Sequence, residues 1–314
     1  MDVKLKDLII TKKLGEGGIA SVYLAMHKKL GKPFALKTLL PKYAANPRIK
    51  KRFLTEAGIL LALKHPNIIR CYDVFEEDNK IYLLLEYVPG LNLAQLIEQI
   101  GEPLSLNLML AYFKQILNAL QYLHEKGIVH RDIKPHNIFV YDSGMGFSEH
   151  SVVKLGDLGI AKALGVSDLT RSDVRLGTYS FMSPEQIQNP ANVDHRSDIY
   201  SLGATFYYVC TAKTPYPQKN NSITELVNAI MTNNIIPIAS QNRNVPVWLQ
   251  KIIIKMMARE PEQRFKTCNE ILQRLDEIRL NKLKKAQNPG CLLVLANYLT
   301  ISFLLILLLM LMQN

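Results

Sequence analysis

Hydrophobic periodicity along this chain switches once, near Pro89-Gly90. Before that point the segments 8–14, 20–27, 33–38, 69–75 and 81–87 are short and rich in β-branched or aromatic residues, with Gly, Asp or Asn between them. That pattern predicts strands. One stretch departs from it. Segment 48–64 places Ile49, Phe53, Leu54, Ala57, Leu60, Leu61 and Leu63 at helical spacing. His65-Pro66-Asn67 closes it, because a proline disfavours helix in the residue before it. After Pro89-Gly90 the period becomes helical. Segment 108–125 carries Leu110, Phe113, Leu117, Leu120 and His124 on one stripe, with Gly127 suited to the C′ position. Segments 198–211 and 247–258 predict two further helices. A small β-rich lobe with one main helix therefore precedes a larger helical lobe, an α+β chain jointed near Pro89-Gly90.

With 314 residues, 48% hydrophobic and 21% charged, the chain can bury a sizeable core and is not intrinsically disordered. Cys71, Cys210, Cys268 and Cys291 form no CxxC pair, which excludes a disulfide framework or zinc ribbon and fits a reducing compartment. The net charge is +11, yet there is no RNP motif, zinc-finger spacing or long basic block, so nucleic acid is not the expected partner. The N-terminus carries Asp2, Lys4, Lys6 and Asp7 and lacks a signal-peptide apolar stretch.

Part of the basic excess has another explanation. Residues 291–312, 22 in all, carry no charge. As a helix they would span about 33 Å, against a hydrocarbon core of about 30 Å. A transmembrane helix is expected there, with a basic linker at 278–290 before it. Arg274, Arg279, Lys282, Lys284 and Lys285 precede the span, so the positive-inside rule places the main body in the cytoplasm, behind a single-pass anchor. Only Gln313 and Asn314 follow, so no outer sensor domain is expected.

Three groups of residues carry chemistry. Leu14-Gly15-Glu16-Gly17-Gly18-Ile19-Ala20-Ser21-Val22 is a glycine-rich loop, in which backbone N–H groups can approach phosphate oxygens. It is not a Walker A loop, and taken alone it could be an ordinary hairpin turn. Phe34-Ala35-Leu36-Lys37 sets a lysine in an apolar strand, costly unless paired or snorkelling at an edge. Glu56 on the following helix can neutralise it. The block His130-Arg131-Asp132-Ile133-Lys134-Pro135-His136-Asn137 lies between the apolar runs Gly127-Ile128-Val129 and Ile138-Phe139-Val140. Twenty residues after Asn137 comes Asp157-Leu158-Gly159. Asp132, Asn137 and Asp157 supply oxygen ligands and a base, which suits Mg²⁺ and a hydroxyl nucleophile.

In this order and spacing the motifs resemble those of the eukaryotic-type (Hanks-type) protein kinases, and the Gly-Gly-Ile-Ala lid and Ser-Pro-Glu-Gln string look most like the bacterial serine/threonine branch. The resemblance covers roughly residues 8–277 and implies the bilobal kinase fold, with an N-lobe at 1–88 and a C-lobe at 89–277. It implies ATP and Mg²⁺, or Mn²⁺ in its place, and protein substrates phosphorylated on Ser or Thr. By position, Leu14, Gly15, Gly17 and Gly18 would cover the nucleotide. Val22, Ala35 and Phe139 would sandwich the adenine, Leu85 would be the gatekeeper, and Glu86 to Val88 the hinge that bonds adenine through backbone. Lys37 would bind phosphates and pair with Glu56. Asp132 would be the base, Lys134 would contact the γ-phosphate, and Asn137 and Asp157 would hold the metal. Asp198 would brace the catalytic loop, and Glu185–Arg264 the substrate-side loop. Leu60, Cys71, His130 and Leu158 would form the regulatory spine.

Lys134 and Gly177-Thr178 ahead of Ser183-Pro184-Glu185 match the Ser/Thr branch. Arg131 would be an unpaired cation awaiting phosphate, with Thr170 and Ser172 as expected autophosphorylation sites. The departures are Ala20 for the third lid glycine, Leu158 for Phe, Ser183 for Ala, and a longer segment at 141–151, read as a surface hairpin. None removes a catalytic group. A pseudokinase scaffold would normally lack Lys37, Asp132 or Asp157. A small-molecule kinase would lack the segment 177–185. The resemblance allows a homodimer through the N-lobe, without independent support in the sequence.

Overall fold

The computed structural model describes residues 3–17, 19–141, 144, 146–158, 179–217 and 222–286. The upper lobe is a five-stranded antiparallel sheet of β1 (Leu8–Glu16), β2 (Ala20–His27), β3 (Pro33–Leu39), β4 (Cys71–Glu77) and β5 (Lys80–Glu86), ordered β1-β2-β3-β5-β4. One turn of helix, α1 (Pro41–Ala44), leads into the main helix α2 (Pro47–Ala62). Asn46 caps α2 by accepting from the amides of Arg48 and Ile49, and Pro47 fits its first turn, where an N–H would be unpaired anyway. One face of the sheet buries Val3, Leu8, Ala25, Phe34, Leu36, Tyr82 and Leu84.

The lower lobe opens with β6 (Gly90–Asn92) and α3 (Leu93–Ile100), whose Asn92 and Gln95 form a reciprocal capping box. Helix α4 (Leu106–Glu125) buries Met109, Phe113, Ile116, Leu117, Leu120 and Leu123. It stops at Gly127, whose φ of 71° is the left-handed conformation expected of that position. Strands β7 (Ile138–Tyr141) and β8 (Val153–Leu155) join β6 in a second antiparallel sheet. Among the described residues the further α-helices are α5 (Pro184–Gln188), α6 (Arg196–Thr211), α7 (Ile223–Met231), α8 (Ile238–Gln241), α9 (Val247–Met256) and α10 (Cys268–Ala286). Helix α6 is buried along almost its whole length. It meets α9 at Gly203, where a Cβ would lie 2.8 Å from the Met256 Cβ. Residues 3–269 as described form one compact unit holding both lobes, and the chain from Glu270 belongs to a second.

The two-lobed α+β architecture matches the expectation, with corrections at the level of elements. Strand β1 does not stop at Leu14 but runs through Gly15 to Glu16, because Gly15 and Glu16 still pair with Val22 and Ser21. Strand β4 begins at Cys71, since the Ile69 amide is taken by the Leu155 carbonyl. Helix α6 starts at Arg196 rather than at Asp198. Helices α3, α5, α7, α8 and α10 had no counterpart in the periodicity reading. Strands β7 and β8 pair as a hairpin, with part of its connection, residues 142, 143 and 145, outside the described residues. Cys71, Cys210 and Cys268 are free and buried. Among the described residues no helix is long and apolar enough to cross a membrane; the expected span at 291–312 lies outside them.

Candidate active site

Alternation along three paired strands assembles the roof of a cleft. Val22 faces Lys37 across β2–β3, Lys37 faces Leu83 across β3–β5, and Ala35 faces Leu85. Residues two apart, and residues directly opposite, share a face of a sheet. Val22, Ala35, Lys37, Leu83 and Leu85 therefore look the same way. The glycine lid is the β1–β2 hairpin itself, turned by a Gly17 N–H to Ala20 carbonyl bond of 2.8 Å. Leu14, Gly15 and Gly17 lie exposed along it, while Gly18 lies outside the described residues.

The Lys37 ammonium stands between two carboxylates, 3.3 Å from Glu56 Oε1 and 3.0 Å from Asp157 Oδ1. Burial works against its charge, but the two acids outweigh it and push the lysine pKa up. Lys37 in turn holds the Asp157 carboxyl below its ordinary value. Glu56 is held above its ordinary value by burial, which Lys37 only partly offsets. Asp157 has a φ of 51°, a left-handed backbone that turns the chain after Gly156. At Gly156 a Cβ would meet the Ile69 Cδ1 at 2.8 Å and the Phe139 ring at 3.1 Å, so a larger residue would have to push both side chains aside where β8 ends.

The floor is the loop 130–137. Asn137 donates from Nδ2 to the Asp132 carbonyl at 2.8 Å and to its Oδ2 at 2.9 Å, and Lys134 Nζ is 3.1 Å from the same Oδ2. The Gly156 amide donates to the Asn137 carbonyl at 2.9 Å. That bond brings Asp157 beside Asn137 and Asp132, so the two distant motifs share one cleft. Beneath them Asp198, fully buried, accepts the His130 and Arg131 amides, each at 2.8 Å, and meets His124 Nε2 at 2.9 Å. The buried His130 ring reaches the Gly156 carbonyl at 3.1 Å, and burial keeps its pKa low. Leu60, Cys71, His130 and Leu158 are all buried.

On the substrate side Arg264 grips Glu185 through both guanidinium nitrogens at 2.6 and 2.8 Å. The Arg131 guanidinium donates to the neutral Pro190 and Val193 carbonyls at 3.1 and 3.4 Å, and the segment expected to bring it an anion lies outside the described residues. Thr170, Ser172, Gly177 and Thr178 lie outside the described residues. Glu86 is the last residue of β5 and Val88 comes two residues later; both are half-buried, as is Phe139.

Two positioning contacts escaped the sequence reading. Gln186 donates to the Arg131 carbonyl at 3.0 Å while its Oε1 accepts from Ser183, tying α5 to the loop 130–137. The Ser-Pro-Glu-Gln string has the S-x-x-Q spacing of a capping box, the signal that marks it. Lys154 lies in the apolar strand β8, the same signature that singled out Lys37.

Among the described residues no cluster of three or more His, Cys, Asp or Glu is arranged for a metal. Asn137 and Asp157, drawn together by the bond from the Gly156 amide to the Asn137 carbonyl, nevertheless supply oxygen ligands that suit Mg²⁺, which uses few protein ligands and completes its shell with phosphate and water.

A β-lobe with a lysine–carboxylate pair, set over a helical lobe with an Asp/Asn loop, defines the bilobal protein kinase architecture. The model of the protein kinase domain matches residues 8–275, and the chain belongs to that family. A probable serine/threonine-protein kinase of Clostridium acetobutylicum is 35% identical over 272 residues, 87% of this chain and 40% of the relative. Serine/threonine-protein kinase PrkC of Bacillus subtilis is 34% identical over 263 residues, 83% of this chain and 39% of that protein. PknB of Mycobacterium tuberculosis is 32% identical over 285 residues, 89% of this chain and 44% of that one. The chain thus spans less than half the length of these curated relatives. The crystal structure of a double mutant of the PknI kinase domain of Mycobacterium tuberculosis superposes with a TM-score of 0.67 over 88% of this chain and 96% of that one, at 23% identity, a likeness of fold.

Proposed function

We propose that this chain is a serine/threonine protein kinase that moves the γ-phosphoryl group of ATP onto Ser or Thr hydroxyls of proteins. The observation that carries the reading is Lys37 held between Glu56 and Asp157, with the Gly156 amide bonded to Asn137 and Asn137 in turn to Asp132. The lid and the face made by Val22, Ala35 and Leu85, with Phe139 below, take the nucleotide, and the 86–88 backbone takes the adenine edge. Lys37 neutralises the α- and β-phosphates. Asn137 and Asp157 would hold Mg²⁺, which offsets charge on the phosphates when bound. Asp132, oriented by Asn137 and Lys134, accepts the proton as the substrate oxygen bonds to the γ-phosphorus and the β–γ bridging bond breaks, and Lys134 meets the transferred group. Positioned proton transfer of this kind is worth about 10²–10⁴-fold. Incubation with γ-³²P-ATP, Mg²⁺ and a Ser/Thr-containing protein tests it. Asp132→Asn should lose label by at least about 10²-fold with its fold intact, and equal, negligible incorporation by both proteins would favour a pseudokinase.

The same reading extends to the anchor and to self-modification. Residues 291–312 hold the kinase at the cytoplasmic face of a membrane as a single-pass helix, supported by their lack of charge and by the cations before them. A chain cut after Gln287 should then leave the membrane fraction. Autophosphorylation falls on Thr170 first and Ser172 second, which peptide mapping of active protein checks.

A further inference from the structure

Net positive charge is concentrated in the upper lobe. Residues 1–88 carry 16 Lys and Arg against 9 Asp and Glu, whereas residues 89–277 carry 18 of each. Four of the nine acids are each matched by a lysine: Glu16 by Lys13, Glu56 by Lys37, Glu76 by Lys50, and Glu86 by Lys154 at 2.9 Å. Asp7, Asp73 and Glu77 accept the backbone amides of Lys4, Val3 and Leu5 at 3.1, 3.3 and 2.7 Å. The β2–β3 turn, residues 28–32, has no acid of its own. It reads Lys28-Lys29-Leu30-Gly31-Lys32, all exposed, and among the described residues no carboxylate pairs with its lysines.

The turn is held in one shape. His27, buried at the end of β2, accepts the amides of Lys29 and Leu30 on Nδ1 at 3.2 and 3.3 Å. Its carbonyl accepts the Gly31 amide at 2.9 Å, and its amide donates to the Lys32 carbonyl at 3.0 Å. Gly31 has a φ of 60°, the left-handed conformation that glycine adopts at least cost. Lys28 donates from its amide to the Asp7 carbonyl at 2.9 Å and from Nζ to the Lys6 carbonyl at 2.6 Å, which ties the turn to the segment before β1. Leu30 is 46% exposed. A single exposed leucine carries no message. Set among three lysines without acidic partners, it has the chemistry of a bilayer contact, with an apolar group at the headgroup boundary and ammoniums on lipid phosphates. The turn holds no arginine and no aromatic ring, the groups that base edges and stacked bases call for.

We propose that the β2–β3 turn is a docking surface for anionic lipid headgroups, which lays the upper lobe against a membrane. The proposal rests on the anchor reading of 291–312 for the bilayer it meets. The turn lies at the end of β2 opposite the lid, about 25 Å away along an eight-residue strand. Docking there leaves the nucleotide cleft open.

The test places the full chain on vesicles of phosphatidylcholine, alone or mixed with phosphatidylserine, and follows acetylation of each lysine by mass spectrometry. A lysine at an anionic surface is worth about fivefold in affinity, so on phosphatidylserine Lys6, Lys28, Lys29 and Lys32 should label at least about threefold more slowly. Lys126 and Lys251, exposed in the lower lobe, should keep their rates. Salt at about 1 M, where the Debye length is about 3 Å, should restore labelling. Lys28→Gln, Lys29→Gln and Lys32→Gln together should lift the protection of Lys6 and leave the melting temperature within about 2 °C. Equal labelling on both kinds of vesicle, equal slowing at Lys126 and Lys251, or protection by duplex DNA in place of phosphatidylserine overturns the proposal. Flotation with phosphatidylcholine alone reads the anchor separately: a chain that stays behind refutes the anchor, and labelling on phosphatidylserine still decides the turn.

Discussion

His124 Nε2 meets the Asp198 carboxylate at 2.9 Å, and the same carboxylate receives the amides of His130 and Arg131. One buried anion therefore fixes the C-terminal end of α4 to the start of the loop that carries Asp132. Burial alone would raise the Asp198 carboxyl, but its bonds to His124 and His130 hold it below the ordinary range. Asp198→Asn keeps the shape while removing the charge and setting an amide N–H against backbone N–H groups. The expected loss is about 3 kcal/mol of stability, as for other broken buried charge partners. Urea unfolding measures it, and a loss under about 1 kcal/mol would show that the carboxylate is not the brace.

His130 sets the response to mild acid. Burial lowers its pKa in the folded state, so below about pH 6.5 the unfolded chain binds a proton that the folded one refuses. Its contribution is complete above that pH and drains away as pH falls toward the folded-state value. His65, also pushed down by burial, acts in the same direction. Asp157, Asp198 and Glu185 have lowered carboxyl pKa values, so their contribution is lost only in stronger acid, below about pH 4. Urea midpoints should drop between pH 7.5 and 5.5. His130→Phe should be less stable at pH 7.5, having lost the bond to Gly156, but should drop less on acidification. Parallel pH slopes for the two proteins would remove His130 from this role.

Legibility in the sequence tracked the range of each interaction. Lys37 stood out because a charge inside an apolar strand demands a partner, which Glu56 could supply; Asp132 and Asn137 stood out as a polar block between apolar runs and Asp157 by its spacing after them, and the structure brings all five to one cleft. The lid was legible as a hairpin because glycine turns are local. The acceptors of Arg131 were not legible, because they are the carbonyls of Pro190 and Val193, about 60 residues away and carried by no side-chain pattern. Helices α7 and α8 were missed because they are short, nine and four residues, so neither holds many turns of period. Lys154 carried the Lys37 signature, but its partner Glu86 lay in a segment assigned to adenine by backbone alone.

Lys37 and Glu56 should respond unequally to neutral substitution. Lys37→Met leaves Glu56 and Asp157 as two acids facing each other without the cation between them. It should cost about 10²–10³-fold in kcat, the scale of losing a positioned charge at a reacting phosphate. Glu56→Gln still accepts from Lys37, and Asp157 still pairs with that lysine at 3.0 Å. Because burial already disfavours the Glu56 charge, Gln should cost only about tenfold in kcat and little stability. Kinase assays at saturating ATP separate the two, and equal losses would contradict the shared-cation geometry.

Arg264 offers the largest stability effect. Its side chain is fully buried and binds Glu185 through two nitrogens. It also donates to the Ala258, Arg196 and Arg259 carbonyls at 2.8, 3.0 and 2.8 Å. Arg264→Ala strands a partly buried carboxylate, already shared with the Ser197 hydroxyl, and deprives three carbonyls of a donor. Breaking such a pair costs about 3–5 kcal/mol. At about 2–4 °C per kcal/mol for a domain of this size, the melting temperature should fall by roughly 6–20 °C. Arg264→Lys can satisfy one carboxylate oxygen but not the fork, and should recover less than half of the loss. Thermal unfolding of the three proteins decides it: a drop under about 2 °C for Arg264→Ala would mean that the loop around Glu185 is held by Gln186 and Ser183 instead.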